Sequence, residues 1–158
     1  MPLNFAPGDP TLSQADMLAF GHNARGRTEL GALETHLMQQ YAPAFSAYTR
    51  RARQGKQKPG TWWLWTETRP KLAFLTIRDS SVGATRLRYV QSVLMTLARD
   101  YPMYQVQSLA IAPLGNSYER DEINKLASQW LAGLTLPITL YTAYIPGVEV
   151  DDGDVGSS

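Results

Sequence analysis

The chain has 158 residues, 44% of them hydrophobic, and a formal net charge of +1, which suits one domain with a real core and gives no general argument for nucleic acid or membrane binding. It has no cysteine, which excludes a disulfide scaffold, a thiolate metal site and a Cys nucleophile, and His22 and His36 fall in no metal-ligand spacing, so no metal or cofactor is expected. No apolar run approaches the roughly 18 residues that span a bilayer, and the start MPLNFAPGDPT lacks the features of a signal peptide, so a cytoplasmic location is the expectation.

After a short start, Ala15 to Phe20 is a compact apolar run, and Gly21 to Gly31 reads as a loop with three glycines. Leu30, Leu33, Leu37, Tyr41, Phe45 and Tyr48 then recur at steps of three and four, the period of an amphipathic helix that Pro43 kinks or divides. A basic run follows, Arg50, Arg51, Arg53, Lys56 and Lys58, closed by Pro59-Gly60. Thr61 to Thr66 and Lys71 to Ile77 are rich in aromatic and branched residues and predict two strands around a turn at Glu67 to Pro70. Ser80 and Ser81 offer caps for a helix over Val82 to Arg99. Val106 to Ala112 predicts a buried strand, Glu122 to Leu134 a helix, and Pro137 to Tyr144 the last strand.

The near-continuous apolar strands suit a sheet covered on both faces. The order predicts an α/β fold, a three-layer α/β/α sandwich with a mixed central sheet and ligands at the C-terminal strand ends. One domain over residues 1–146 is expected, with a flexible acidic tail over 147–158.

Four stretches, in order, carry a resemblance. Gly8-Asp9-Pro10-Thr11 is similar to a G-D-[IL]-T start, and Asn23, Gly26 and Gly31 fit N-x-x-G-x-x-G-x-G. Tyr41 to Gly60, with its Phe45 and Tyr48 and its closing Lys58-Pro59-Gly60, matches a stretch before a strand, and Ser108 to Gly115 (SLAIAPLG) matches S-I-A-I-P-P-L-G. Together they resemble a macrodomain, in particular the branch of DNA ADP-ribosyl glycohydrolase antitoxins, over about residues 4–146.

The resemblance implies ADP-ribose, or a related nucleotide, as ligand. It implies that Asp9 accepts a hydrogen bond from the adenine amino group, the alternative being that Asp9 only begins a Gly-Asp-Pro turn. Asn23, Gly26 and Gly31 belong to the loop that cradles the distal ribose and diphosphate, where glycine lets backbone N–H groups approach an anion. The family's middle glycine is Glu29 here, which would repel phosphate if it faced inward, whereas Arg25 or Arg27 would attract it. After Gly115 the branch wraps the diphosphate with a glycine-rich run. This chain instead has Asn116, Ser117 and Tyr118, of which the first two could donate to phosphate and the third could stack. Tyr144, at the end of the last strand, is the candidate aromatic near adenine, and Tyr141 is read as core.

The branch carries a catalytic lysine directly after a strand threonine. Here Thr76 is followed by Ile77, which has no nitrogen, and then by Arg78, which stays protonated and suits phosphate. A partnering acid would be Glu119 or Asp121. No catalytic residue is assigned, and a pseudoenzyme is expected. Trp62, Trp63 and Trp65 allow a nucleic-acid stacking platform or, more simply, core packing. The basic run allows a phosphate-contacting patch or a solvated helix end.

Three functions stay open: a binding module for ADP-ribose, a glycohydrolase acting on ADP-ribosylated nucleic acid or protein by another route, and a scaffold for a protein partner such as a toxin. The last predicts a cleft filled by Tyr118 or Arg25. Under the first, Asp9→Ala is expected to weaken ADP-ribose binding about ten- to a hundredfold while changing fold stability little.

Overall fold

Alternation of side chains along the strands sets the layers. In the computed structural model, which describes residues 3–81 and 84–150, six strands form one sheet in the order β1-β6-β5-β2-β4-β3. They are β1 (Leu3–Gly8), β2 (Met17–Asn23), β3 (Trp62–Trp65), β4 (Lys71–Arg78), β5 (Leu109–Ile111) and β6 (Ile138–Tyr144). All neighbours run parallel except β3, which is antiparallel to β4. The sheet is therefore mixed, as expected.

Four helices cover it: α1 (Ala32–Gln40), α2 (Ala42–Arg53), α3 (Leu87–Asp100) and α4 (Arg120–Leu131). Leu18, Phe20, Leu72 and Phe74 point to one face, where they pack with Leu37, Phe45 and Tyr48 of α1 and α2. Met17, Ala19, Leu75 and Ile77 point to the other, against Val90 and Leu94 of α3 and Ile123 and Leu131 of α4. Every parallel strand thus ends on the same side of the molecule, between the N-termini of α1 and α4.

Several boundaries differ from the sequence reading. β1 was hidden because it is an edge strand with only its two ends buried, so it shows no apolar run. β2 extends through Gly21 and His22 to Asn23, so the loop starts later than Gly21. The long periodic stretch breaks at Tyr41 and restarts with Pro43 in the first turn of α2, where the missing N–H costs nothing. Leu30 precedes α1 and is 91% exposed, so it is no core position.

α3 begins at Leu87, with Arg86 as N-cap and no side-chain cap, so Ser80 and Ser81 do not serve as caps. The expected helix start at Val82 lies outside the described residues. β5 is only three residues long, and α4 begins and ends earlier than expected. Gly147 to Val150, read from sequence as the start of a tail, lie along the end of β1. The Asp9 N–H donates to the Val148 carbonyl at 2.7 Å, and Val150 packs against the core. Residues 151–158 of the expected tail lie outside the described residues.

Candidate functional site

The ends of β2 and β4 are locked together before either enters a loop. The Tyr48 hydroxyl, on α2, donates to the Asn23 carbonyl at 2.9 Å and shares a 2.9 Å hydrogen bond with the Thr76 hydroxyl. Burial pushes the Tyr48 phenol up to about 12, so it stays a neutral donor. Beside it the β2–β4 register slips: His22 pairs with Thr76, but Asn23 pairs with Arg78. Ile77 is the extra residue of this bulge, and bulges re-aim side chains. Ile77 packs into the α3–α4 core at 0% exposure, while Arg78 reaches the cleft.

Arg78 meets a carboxylate there. Its Nη2 lies 2.9 Å from Glu29 Oε1, with both side chains almost buried, and its Nη1 donates to the Thr85 hydroxyl at 3.1 Å. The other Glu29 oxygen accepts from Asn23 Nδ2 at 2.6 Å. Asn23 also donates to the Arg27 carbonyl and accepts from the N–H groups of Arg25 and Arg27. Both amide donors and both acceptor sites of Asn23 are thus engaged within its own loop. Gly26 has φ +68°, and a Cβ there would come within 2.8 Å of Ala52 on α2, so both its backbone and its packing require glycine.

His22 packs at a tilt against Tyr48, 4.4 Å between ring centres. Burial, with the Arg78 charge adding to it, lowers its pKa to about 4. It is a neutral imidazole whose Nδ1 accepts from the Asn23 N–H at 2.8 Å, so the proton sits on Nε2.

These groups surround a cavity of about 280 Å³, whose floor is Phe20, Gly21 and Ala112 and whose walls include Leu33, Arg78 and Gly115. A groove shares Leu33, Pro113 and Gly115 with it and runs to Tyr144 at the end of β6. A third hollow continues past His22 and Glu29 to Arg27, Arg50 and Arg53. Together they make one cleft across the carboxyl ends of the strands. Three glutamates, Glu29, Glu34 and Glu119, line the central cavity beside one arginine, Arg78.

No protein-family model matches the chain, and no curated protein matches it. Solved structures do. The macrodomain of Thermus aquaticus DarG superposes with a TM-score of 0.78 at 18% identity, covering 91% of this chain and 98% of its own. Thermosipho africanus DarTG in complex with ADP-ribose gives 0.82 at 16% identity over 97% of this chain, which spans only 44% of that longer protein. The macrodomain of Mycobacterium tuberculosis DarG gives 0.73 at 17% identity, covering 92% and 98%. The chain has the macrodomain fold.

Within this fold the expected ligand residues fall in three groups. Arg78 lines the central cavity and Gly26 the third hollow, while Asn23 is fully buried behind them and Gly31 is the extended N-cap of α1. Gly115 (φ +94°), Asn116, Ser117 and Tyr118 form the loop after β5, in which Tyr118 is 94% exposed. Asp9 and Tyr144 lie together at the far end, where Gly8 pairs with Tyr144.

Asp9 is 5% exposed, not part of a surface loop. One oxygen accepts from the N–H (3.0 Å) and hydroxyl (2.6 Å) of Thr11, and the other from the Gly147 N–H at 2.9 Å. Burial by itself raises its pKa, but these hydrogen bonds outweigh it and hold the carboxyl below its usual range.

Two residues that the sequence raises without assigning to the ligand site line the central cavity. Glu29 faces inward, its charge matched by Arg78. Glu119 folds back on its own loop, a contact that the spacing N-x-x-E at Asn116 to Glu119 signals as a capping box. The cleft is not filled by Tyr118 or by Arg25, which lines only the outer hollow beside Gly26. Trp63 and Trp65 pack on the α2 side and Trp62 on the opposite one, so the tryptophans flank the edge strand as packing. Arg50, Arg51 and Arg53 occupy the last turn of α2, and Arg51 stacks over Trp63 at 5.1 Å. No helix among the described residues is long and apolar enough to cross a membrane.

Proposed function

We propose that this chain binds ADP-ribose, or a nucleotide of similar shape, along the cleft and does not hydrolyse it efficiently. The observation that carries the reading is the continuity of the cleft from Tyr144, past Gly115 and Arg78, to the loop around Gly26. Such crevices at the carboxyl ends of parallel strands are where open α/β folds hold nucleotides. The ADP-ribose of the Thermosipho africanus complex supports the choice of ligand.

In this reading adenine lies near Asp9 and Tyr144. A carboxylate has about four acceptor sites, and Asp9 has three of them filled, which leaves one on Oδ2 for an amino group. The diphosphate passes Gly31 and the turn from Gly115 to Tyr118, with Arg78 as the adjacent cation. Asn23, with every donor and acceptor engaged, shapes the distal end through the backbone of its loop.

The absence of efficient hydrolysis rests on the bulge. Ile77 offers the core a hydrocarbon and the cleft nothing, and the guanidinium of Arg78 cannot act as a nucleophile at neutral pH. Titration calorimetry with ADP-ribose tests the binding, and no heat at millimolar ligand would sink it.

A second reading, removal of ADP-ribose from nucleic acid or protein, draws on the Glu29 and Glu119 carboxylates and the neutral His22 around the same cavity. It predicts release of ADP-ribose from ADP-ribosylated DNA or protein by excess chain. Intact substrates after long incubation dismiss it.

A further inference from the structure

The loop after β5 is built as an anion receptor, and it already holds an anion of its own. Gly115 has φ +94°, a conformation that L side chains rarely adopt, and it turns the Asn116 N–H out of the chain path. That N–H donates to Glu119 Oε1 at 2.9 Å. A Cβ added to Gly115 would come within 2.5 Å of the same oxygen, so the carboxylate lies directly over the bare Cα. Asn116 Oδ1 in turn accepts from the N–H groups of Tyr118 at 2.9 Å and Glu119 at 3.2 Å, closing a reciprocal capping box before α4. Unlike an ordinary cap on a solvent-facing helix, this one lines the central cavity, with Gly115, Asn116 and Glu119 all on its wall.

We propose that Glu119 determines the charge specificity of the cleft: its carboxylate fills the position that a ligand's diphosphate takes, so phosphate oxygens enter only by displacing it. The inference rests on the nucleotide-cleft reading above. The remaining lining charges act in the same direction. Arg78 is already paired with Glu29, and Glu34 adds a further carboxylate to the wall. An uncharged nucleoside meets none of this competition, whereas a diphosphate meets all of it. The cleft therefore discriminates against free phosphate charge, and Glu119 is the side chain that must move for phosphate to enter.

The test compares the full chain with E119A and E119Q, using inorganic pyrophosphate and adenosine as separate probes and following the Asn116 backbone amide by NMR. Glutamine keeps an acceptor oxygen and hence the cap, so E119Q carries the comparison if E119A melts early. Exchanging a charged competitor for none is expected to tighten pyrophosphate binding at least about tenfold, with the Asn116 amide shifting on titration. Adenosine affinity stays within about twofold, since no phosphate is involved. Equal pyrophosphate affinity in the parent and both variants, or a gain that leaves the Asn116 amide unmoved, overturns the inference. If neither adenosine nor ADP-ribose binds any form while pyrophosphate still gains in the variants, the nucleotide reading fails and the role of Glu119 stands.

Discussion

Ile77 and Gly21 fit each other across the β2–β4 ladder: a Cβ placed on Gly21 would come within 2.6 Å of Ile77 Cδ1. The isoleucine fills the space that the missing side chain leaves, on the α3–α4 side of the sheet. Restoring a lysine at this position therefore puts an ammonium into the core, not into the cleft. Ile77→Lys is predicted to cost at least about 3 kcal/mol of stability, since full burial shifts a lysine by several pKa units. Urea denaturation measures the loss, and no release of ADP-ribose is expected from the variant.

The pair of Arg78 and Glu29 is nearly buried, and removing one partner strands the other. Arg78→Met should destabilise by about 3 kcal/mol, whereas the double change Glu29→Gln with Arg78→Met should recover most of that loss. A double-mutant cycle on unfolding free energies reads the coupling directly. Strictly additive single effects would mean that the pair is not formed.

Asp9→Ala should destabilise the fold, contrary to the sequence-based expectation of little change. It removes an N-cap and the acceptor for Gly147, so a cost of about 1–2 kcal/mol is predicted. Asp9→Asn separates the two roles. Its oxygen can still cap Thr11, but its amide cannot accept from the Gly147 N–H. Thermal melting of both variants, beside their ADP-ribose affinities, distinguishes the structural turn from adenine recognition.

His22 gives the protein a pH signature. Its folded pKa is depressed to about 4 from the usual 6.5, so the unfolded chain binds the proton more readily. Stability from this group is complete above pH 6.5 and falls as the pH drops toward 4, by on the order of 3 kcal/mol. The shift of Asp9 acts only at lower pH, as its carboxylate begins to protonate. His22→Asn keeps an acceptor near the Asn23 N–H and should flatten unfolding free energy between those limits. A slope as steep as that of the parent contradicts the assignment.

The layers were legible because burial writes a period into the sequence. The aromatic strands around Glu67 to Pro70 and the helix divided near Pro43 both follow from it. β1 was not legible, since an edge strand needs only Leu3 and Gly8 inward. The start of α3 differs from the expectation because two serines suit a cap, whereas residues 84–86 carry no helix and the extended Arg86, whose N–H is held by the Ile77 carbonyl, is the N-cap.

Arg78 and Asn23 could be picked through the family resemblance, but the bulge that separates Arg78 from Ile77 depends on the register of a distant strand. The inward turn of Glu29 is likewise a pairing across residues far apart in sequence. Glu119 is the opposite case, because its capping spacing to Asn116 is visible in the sequence, but nothing in that spacing places the capped turn on the cavity wall.

Occupancy of the cleft across the strand ends by ADP-ribose decides the functional reading. Titrating ADP-ribose into the isotope-labelled chain and following its backbone amides by NMR tests this most directly. Saturable binding is expected, with the shifted amides confined to the loops around Gly26 and Gly31, the turn from Gly115 to Tyr118, and the Asp9–Tyr144 end. No shift at millimolar ADP-ribose, or shifts clustered away from those three segments, would contradict it.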